Sequence, residues 1–138
     1  MAPATCIFCA IARREAPARI VHEDERTLAF MDLFPLTRGH ALVIPKVHSD
    51  SLLDADPADA AAVMLTAQRV AMAAMDAFAP DGLNLLQTNG AAAMQTVFHL
   101  HVHVLPRYVD DSFKVSFDRH MGADEELDDA AATLLRAL

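Results

Sequence analysis

The chain reads as an α+β domain: a five-stranded, mainly antiparallel sheet with one long helix and one or two short ones. Three observations predict it. Five short apolar segments are bounded by polar or proline-containing turns. One longer stretch, opened by Asp56-Pro57, repeats apolar residues at helical spacing instead. The final strand candidate contains His99-Leu100-His101-Val102-His103-Val104, an alternation of period two. At 138 residues the chain is long enough to bury one ordinary core.

Residues 7–14 form a short helix that stops before Pro17. Ile20-Val21-His22-Glu23 and Thr27-Leu28-Ala29-Phe30-Met31 are two strands around the polar turn Asp24-Glu25-Arg26. Residues 32–39 are a loop, and His40-Ala41-Leu42-Val43-Ile44 is a buried strand closed by Pro45. Asp56 caps the long helix and Pro57 suits its first position. Val63, Ala67, Val70, Ala74 and Phe78 form its buried stripe, with Met64, Ala71 and Met75 widening it as core filler. Pro80-Asp81-Gly82 ends that helix. Leu83-Asn84-Leu85-Leu86-Gln87 is a fourth strand, Asn89-Gly90 a turn or loop, and the histidine strand spans about residues 96–105. Residues 125–138 form a terminal helix with Leu127, Leu134 and Leu138 on one side. Residues 1–138 make a single domain, with its core over about residues 5–109 and a variable tail over 110–138.

The formal net charge is −8, which argues against a nucleic-acid-coating protein with its basic stripe. A small anion remains possible, because a local group such as Arg38, Lys46 and Arg107 can hold phosphate inside an acidic shell. No apolar run reaches the ~20 residues that span a bilayer. Met1-Ala2-Pro3-Ala4-Thr5-Cys6 lacks the pattern of a secretory leader, so a cytoplasmic location is expected. In a reducing compartment the Cys6-x2-Cys9 pair is a redox pair, half of a zinc site, or two buried thiols, rather than a structural disulfide.

On a strand, His99, His101 and His103 line one face, while Phe98, Leu100, Val102 and Val104 point into a core. Pro106 suits the strand end. Three readings of the histidines compete. They could be a solvated face. They could be one metal site, although a strand spreads them over about 13 Å, more than a single ion can bridge. Or the labour is divided, with a central nucleophile flanked by groups that orient it and bind substrate.

His99-Leu100-His101-Val102-His103-Val104-Leu105 resembles the defining motif of the histidine-triad superfamily. The likeness extends in order through Cys6-Ile7-Phe8-Cys9, Pro17-Ala18-Arg19-Ile20-Val21, Leu28-Ala29-Phe30-Met31-Asp32, Gly39-His40-Ala41-Leu42-Val43-Ile44-Pro45-Lys46 with His48, Asn89-Gly90 and Gln95-Thr96-Val97-Phe98. It covers residues 6–107.

The resemblance implies a nucleotide hydrolase or transferase in which His101 attacks an α-phosphate and water resolves the nucleotidyl-histidine. It places His103 near the phosphate and leaving group, and packs His40 against the site. It makes Gln95 and Thr96 donors to phosphate oxygens, Asn89 a phosphate or ribose contact, and Asp32 a ribose acceptor. Phe8, Ile11, Phe30 and Leu33 resemble the walls of a base pocket. A structural Zn2+ held by Cys6, Cys9, His48 and His99 is implied, as is a homodimer. The implied substrates are AMP or GMP conjugates such as phosphoramidates. The rivals are cleavage of diadenosine polyphosphates and a non-catalytic purine nucleotide-binding module. One departure stands out: relatives usually have glycine immediately before the glutamine, and this chain has Met94, which would set a side chain beside the phosphate. His22 and His120 have no motif support and are expected at the surface.

Overall fold

The computed structural model describes residues 5–138, so the first four residues of the N-terminal segment lie outside the described residues. Helix α1 (Ile7–Ala12) is followed by strands β1 (Ile20–Glu23), β2 (Thr27–Met31) and β3 (Ala41–Pro45). The long helix α2 (Pro57–Phe78), β4 (Gly82–Leu86), a 3-10 turn (Ala91–Ala93), β5 (Val102–Arg107) and α3 (Asp124–Ala137) complete the order. The strands form one sheet, β1-β2-β3-β5-β4, and every neighbouring pair is antiparallel. That is the expected five-stranded α+β architecture.

Local chemistry explains the elements. The Asp24 carboxylate accepts from the backbone N–H groups of Arg26 and Thr27, closing the turn between β1 and β2. Asp56 accepts from the Ala58 N–H at 2.8 Å and Pro57 sits in the first turn, so α2 starts where the sequence places it. Its far end stops at Ala79 in the left-handed conformation.

Alternation along the strands divides the core into two. Ala29, Ala41, Val43, Val102 and Val104 pack with Val63 and Ala67 of α2 on one face. Leu28, Phe30, Leu42 and Ile44 pack with Phe8 and Ile11 of α1 on the other. Because Val102 and Val104 turn toward α2, His101 and His103 emerge on the α1 face. Burying the fully enclosed Leu28, Val43 and Ile44 side chains stabilises the sheet by about 1.5–3 kcal/mol each.

Several expectations need correction. Regular pairing of β5 begins at Val102 opposite Val43, not near residue 96. Residues 96–101 instead cross the end of β3, with the Leu100 N–H donating to Ser49 O at 2.8 Å. Phe98 is therefore about half exposed rather than in the core, and Pro106 lies inside β5, past the last residue paired with β3. Met64 and Met75 are also exposed, because each lies one position off the buried stripe of Val63, Ala67 and Ala74. Helix α3 buries no residue.

Candidate active site and metal centre

The backbone crossing before β5 makes the three histidines unequal. His99 is fully buried, and its Nε2–H donates to Pro45 O at 2.8 Å. This fixes the proton on Nε2 and leaves a lone pair on Nδ1. The His99 carbonyl accepts from His101 Nδ1–H at 2.7 Å, so His101 keeps its lone pair on Nε2. Burial pushes the His101 imidazole below its ordinary pKa, which keeps it neutral and nucleophilic near pH 7. The Phe8 ring meets it edge-on at 5.3 Å.

His40 and His103 form a second chain of tautomers. The Leu36 N–H donates to His40 Nδ1 at 3.1 Å, so His40 carries its proton on Nε2. From there it donates to His103 Nδ1 at 2.9 Å, with Asp32 Oδ2 lying 3.3 Å away. His103 is left with an Nε2–H available as a donor. Burial holds His40 below its ordinary range, and burial with the neighbouring His101 and His40 pulls His103 down to about 4. The rings of His101 and His103 stand 4.9 Å apart.

Both open onto a pocket of about 350 Å³. Of the residues expected there, Phe8, Ile11, Phe30, Asp32, Leu33 and Thr96 line it. The sequence reading missed Ile7, Pro17, Met31, Phe34, Leu42 and Val97. For Leu42 the period-two phase of β3 was an available signal, since it puts Leu42 on the face of Phe30.

Two expected contacts are spent elsewhere. Gln95 is buried outside the pocket lining, and its amide donates to Asp50 O at 2.6 Å and Val97 O at 3.1 Å. Its Oε1 accepts from the Gly90 N–H, so both ends of the Gln95 amide are bonded to backbone groups. Asn89 likewise lies outside the pocket, its oxygen accepting from the Leu52 N–H at 2.8 Å. Met94 is not beside the histidines either. It has a positive φ of 70°, is exposed, and faces a groove with Leu85, Leu105 and Phe117. The suspected basic group does not assemble: Lys46 pairs with Glu23, Arg107 with Asp111, and the Arg38 guanidinium lies over Phe78. His22 sits at the surface beside Asp24, and His120 is exposed.

The donor atoms of Cys6, Cys9, His48 and His99 all lie within 4.8 Å of one another. Cys6 Sγ and Cys9 Sγ are 3.4 and 3.5 Å from His99 Nδ1, and Cys9 Sγ is 3.3 Å from His48 Nδ1. Tetrahedral zinc bonded at about 2.0–2.3 Å has ligand–ligand edges of roughly 3.3–3.8 Å. The proton accounting agrees. His48 donates Nε2–H to Asp50 Oδ1 and His99 donates Nε2–H to Pro45 O, so two bare Nδ1 atoms face each other at 3.2 Å. Two lone pairs at that distance call for a cation between them, with the outer hydrogen bonds orienting the ligands. Burial, reinforced by Cys6, pushes the Cys9 thiol up to about 11 without a metal.

Asp32, His40 and His103 also converge, but they fail the same test. His40 Nδ1 already accepts from Leu36, so a neutral His40 must keep its Nε2 proton and cannot ligate there.

The family model for the HIT domain matches residues 13–110. A HIT family protein from Bacillus anthracis superimposes with a TM-score of 0.93 at 38% identity, covering 99% of both chains. A zinc-bound histidine triad family protein from Mycobacterium smegmatis is 43% identical with a TM-score of 0.75, covering 97% of this chain and 98% of its own. An adenylylsulfatase from Arabidopsis thaliana is 41% identical over 102 residues, 74% of this chain and 52% of that protein. The chain belongs to the HIT domain family.

Proposed function

We propose that the protein is a nucleotide hydrolase or transferase acting on purine nucleoside phosphoramidates or related conjugates, through attack of His101 on the α-phosphate. The observation that carries this reading is the hydrogen bond from His101 Nδ1–H to His99 O, which leaves a neutral Nε2 lone pair in a residue lining an apolar pocket. The His101 Nε2–phosphorus bond forms as the bond to the leaving group breaks, and its electron pair departs with the leaving group, which takes up a proton from water. A second water then adds to phosphorus, loses its proton to solvent and releases His101. His103 Nε2–H donates to a phosphate oxygen, held in register by the chain from Leu36 through His40. Thr96 supplies a hydroxyl at the same end, and Asp32 accepts from the ribose. The similarity to an adenylylsulfatase supports a reading in which the substrate is a nucleotide conjugate.

Cys6, Cys9, His48 and His99 would hold a structural zinc that ties α1, the turn after β3 and the approach to β5 together. The protein is read as one HIT domain, residues 1–138, that works as a homodimer in the cytoplasm. Edge strand β4 and exposed Leu65, Met72 and Leu85 support the dimer. Among the described residues no helix is long and apolar enough to cross a membrane. Nucleic acid is not an expected partner at a net charge of −8.

The test is a panel of adenosine and guanosine phosphoramidates and diadenosine polyphosphates, analysed by product, on wild type and His101→Asn. Phosphoramidate turnover by wild type, lost by at least about a thousandfold in His101→Asn while nucleotide binding survives, is the expected result. Full activity in the variant removes the nucleophile. Preferential cleavage of the polyphosphates identifies that substrate class instead, and binding without turnover identifies a binding module.

A further inference from the structure

A second groove of about 370 Å³ adjoins the histidine pocket. Ile7, Thr96 and Val97 line both, so the two meet at the residues on the phosphate side of the reading above. Beyond that junction the groove adds Thr5, Cys6, Asp50 and Phe98, so one wall borders the Cys/His cluster. Among the described residues no lysine or arginine lines either space, whereas each has one aspartate, Asp32 and Asp50.

Asp50 is held from three sides. Its N–H donates to Asp54 at 2.9 Å, its carbonyl accepts from buried Gln95 at 2.6 Å, and its Oδ1 accepts from His48 at 2.8 Å. The other carboxylate oxygen, Oδ2, makes no hydrogen bond among the described residues. Gln95, which a phosphate contact would leave facing the pocket, is instead spent on fixing Asp50 two residues past His48. Phe98 offers an apolar surface in the same groove and is about half exposed.

We propose that this groove is the leaving-group subsite, and that the carboxylate of Asp50, with no lysine or arginine facing it, selects leaving groups that carry an amine or ammonium over those that carry carboxylate or further phosphate. The inference rests on the phosphoramidate reading and names its leaving-group class. A leaving group with an apolar stem lies along Ile7, Val97 and Phe98 and brings its cationic end to Asp50 Oδ2. A polyphosphate chain would put added negative charge beside Asp50 with no lysine or arginine in the groove to offset it.

Three adenosine 5′-phosphoramidates test this, made from amines of equal length ending in ammonium, hydroxyl or carboxylate. For wild type, kcat/KM should fall in that order, with the ammonium conjugate ahead of the carboxylate by about tenfold, as partly exposed single charges allow. Asp50→Asn, which keeps an oxygen for His48, should bring that ratio to within about twofold, and Asp50→Lys should invert it. Zinc content is measured in every variant, so a ratio that shifts at unchanged zinc belongs to the charge. The same conjugates are also measured by calorimetry on His101→Asn. Turnover with no dependence on terminal charge, or a ratio unmoved by Asp50→Lys, overturns the subsite and spares the nucleophile. Charge-selective binding without turnover in wild type sustains the subsite and overturns the catalytic reading. Neither selectivity nor turnover overturns both.

Discussion

Stripping metal from the Cys6, Cys9, His48 and His99 cluster should destabilise the protein strongly. The cluster joins the start of α1, the turn after β3 and the segment before β5. Without an ion, the two Nδ1 atoms of His48 and His99 face each other at 3.2 Å with nothing between them. A metal bound only by the folded chain and present at a thousand times its dissociation constant contributes about 4 kcal/mol. For a chain of this size that corresponds to a fall of about 15 °C in Tm. The assay is differential scanning calorimetry with a competing chelator, alongside elemental analysis that should find about one zinc per chain beforehand. Hydrolysis should fall in the same titration, because the residue losing its metal bond is the one whose carbonyl holds His101. His48→Ala should reproduce both effects without chelator. Protein that purifies metal-free with an unchanged Tm, or that loses its zinc without losing stability, would refute the reasoning.

Gly39→Ala should cost about 2 kcal/mol by urea denaturation, because Gly39 has a φ of +89° and a Cβ there would lie 2.7 Å from the Phe78 ring. Its neighbour His40 should shift as well, lowering kcat, and a variant of wild-type stability would contradict the steric argument. Met94→Gly should raise stability by about 1 kcal/mol, since a side chain is being held at a φ of 70°; an unchanged Tm would show that Met94 packing in its groove offsets the strain. His103 should also make stability depend on pH. Its folded pKa of about 4 lies below the ordinary 6.5, so the unfolded chain binds a proton that the folded chain refuses. Its contribution is present above about pH 6.5 and is lost as pH falls toward 4. The urea midpoint should therefore drop more steeply from pH 7 to 4.5 for wild type than for His103→Asn, and equal slopes would exclude His103 as the group.

The sheet and α2 were legible in the sequence because their signals are local: short apolar runs bounded by polar or proline turns in β2 and β3, and an acid-proline start to α2. The start of β5 was not, because β3 decides where pairing can begin and its end at Pro45 is far away in sequence. Cys6, Cys9, His48 and His99 could be grouped by resemblance, yet only the tautomers imposed by Pro45 and Asp50 show both Nδ1 atoms turned inward. The backbone partners of the Gln95 side chain were hidden for a related reason. Its competing acceptors, Asp50 O and Val97 O, come from the folded backbone, and residue type alone carries no trace of them. The basic trio dissolves because each cation finds a local partner, Glu23, Asp111 or the Phe78 ring.

His99 is where structure and chemistry meet. One ring nitrogen faces the Cys/His cluster, the other is anchored on Pro45 O, and its backbone carbonyl orients His101. Three constraints on one buried residue leave its backbone little freedom, and through it His101 inherits the rigidity of the Cys/His cluster. His103 gains its orientation by an unrelated route, from the Leu36 N–H through His40. The two histidines sit 4.9 Å apart, yet they are positioned by separate parts of the chain. Damage to the metal centre should therefore impair attack more than phosphate binding. Damage at Gly39 or His40 should do the reverse.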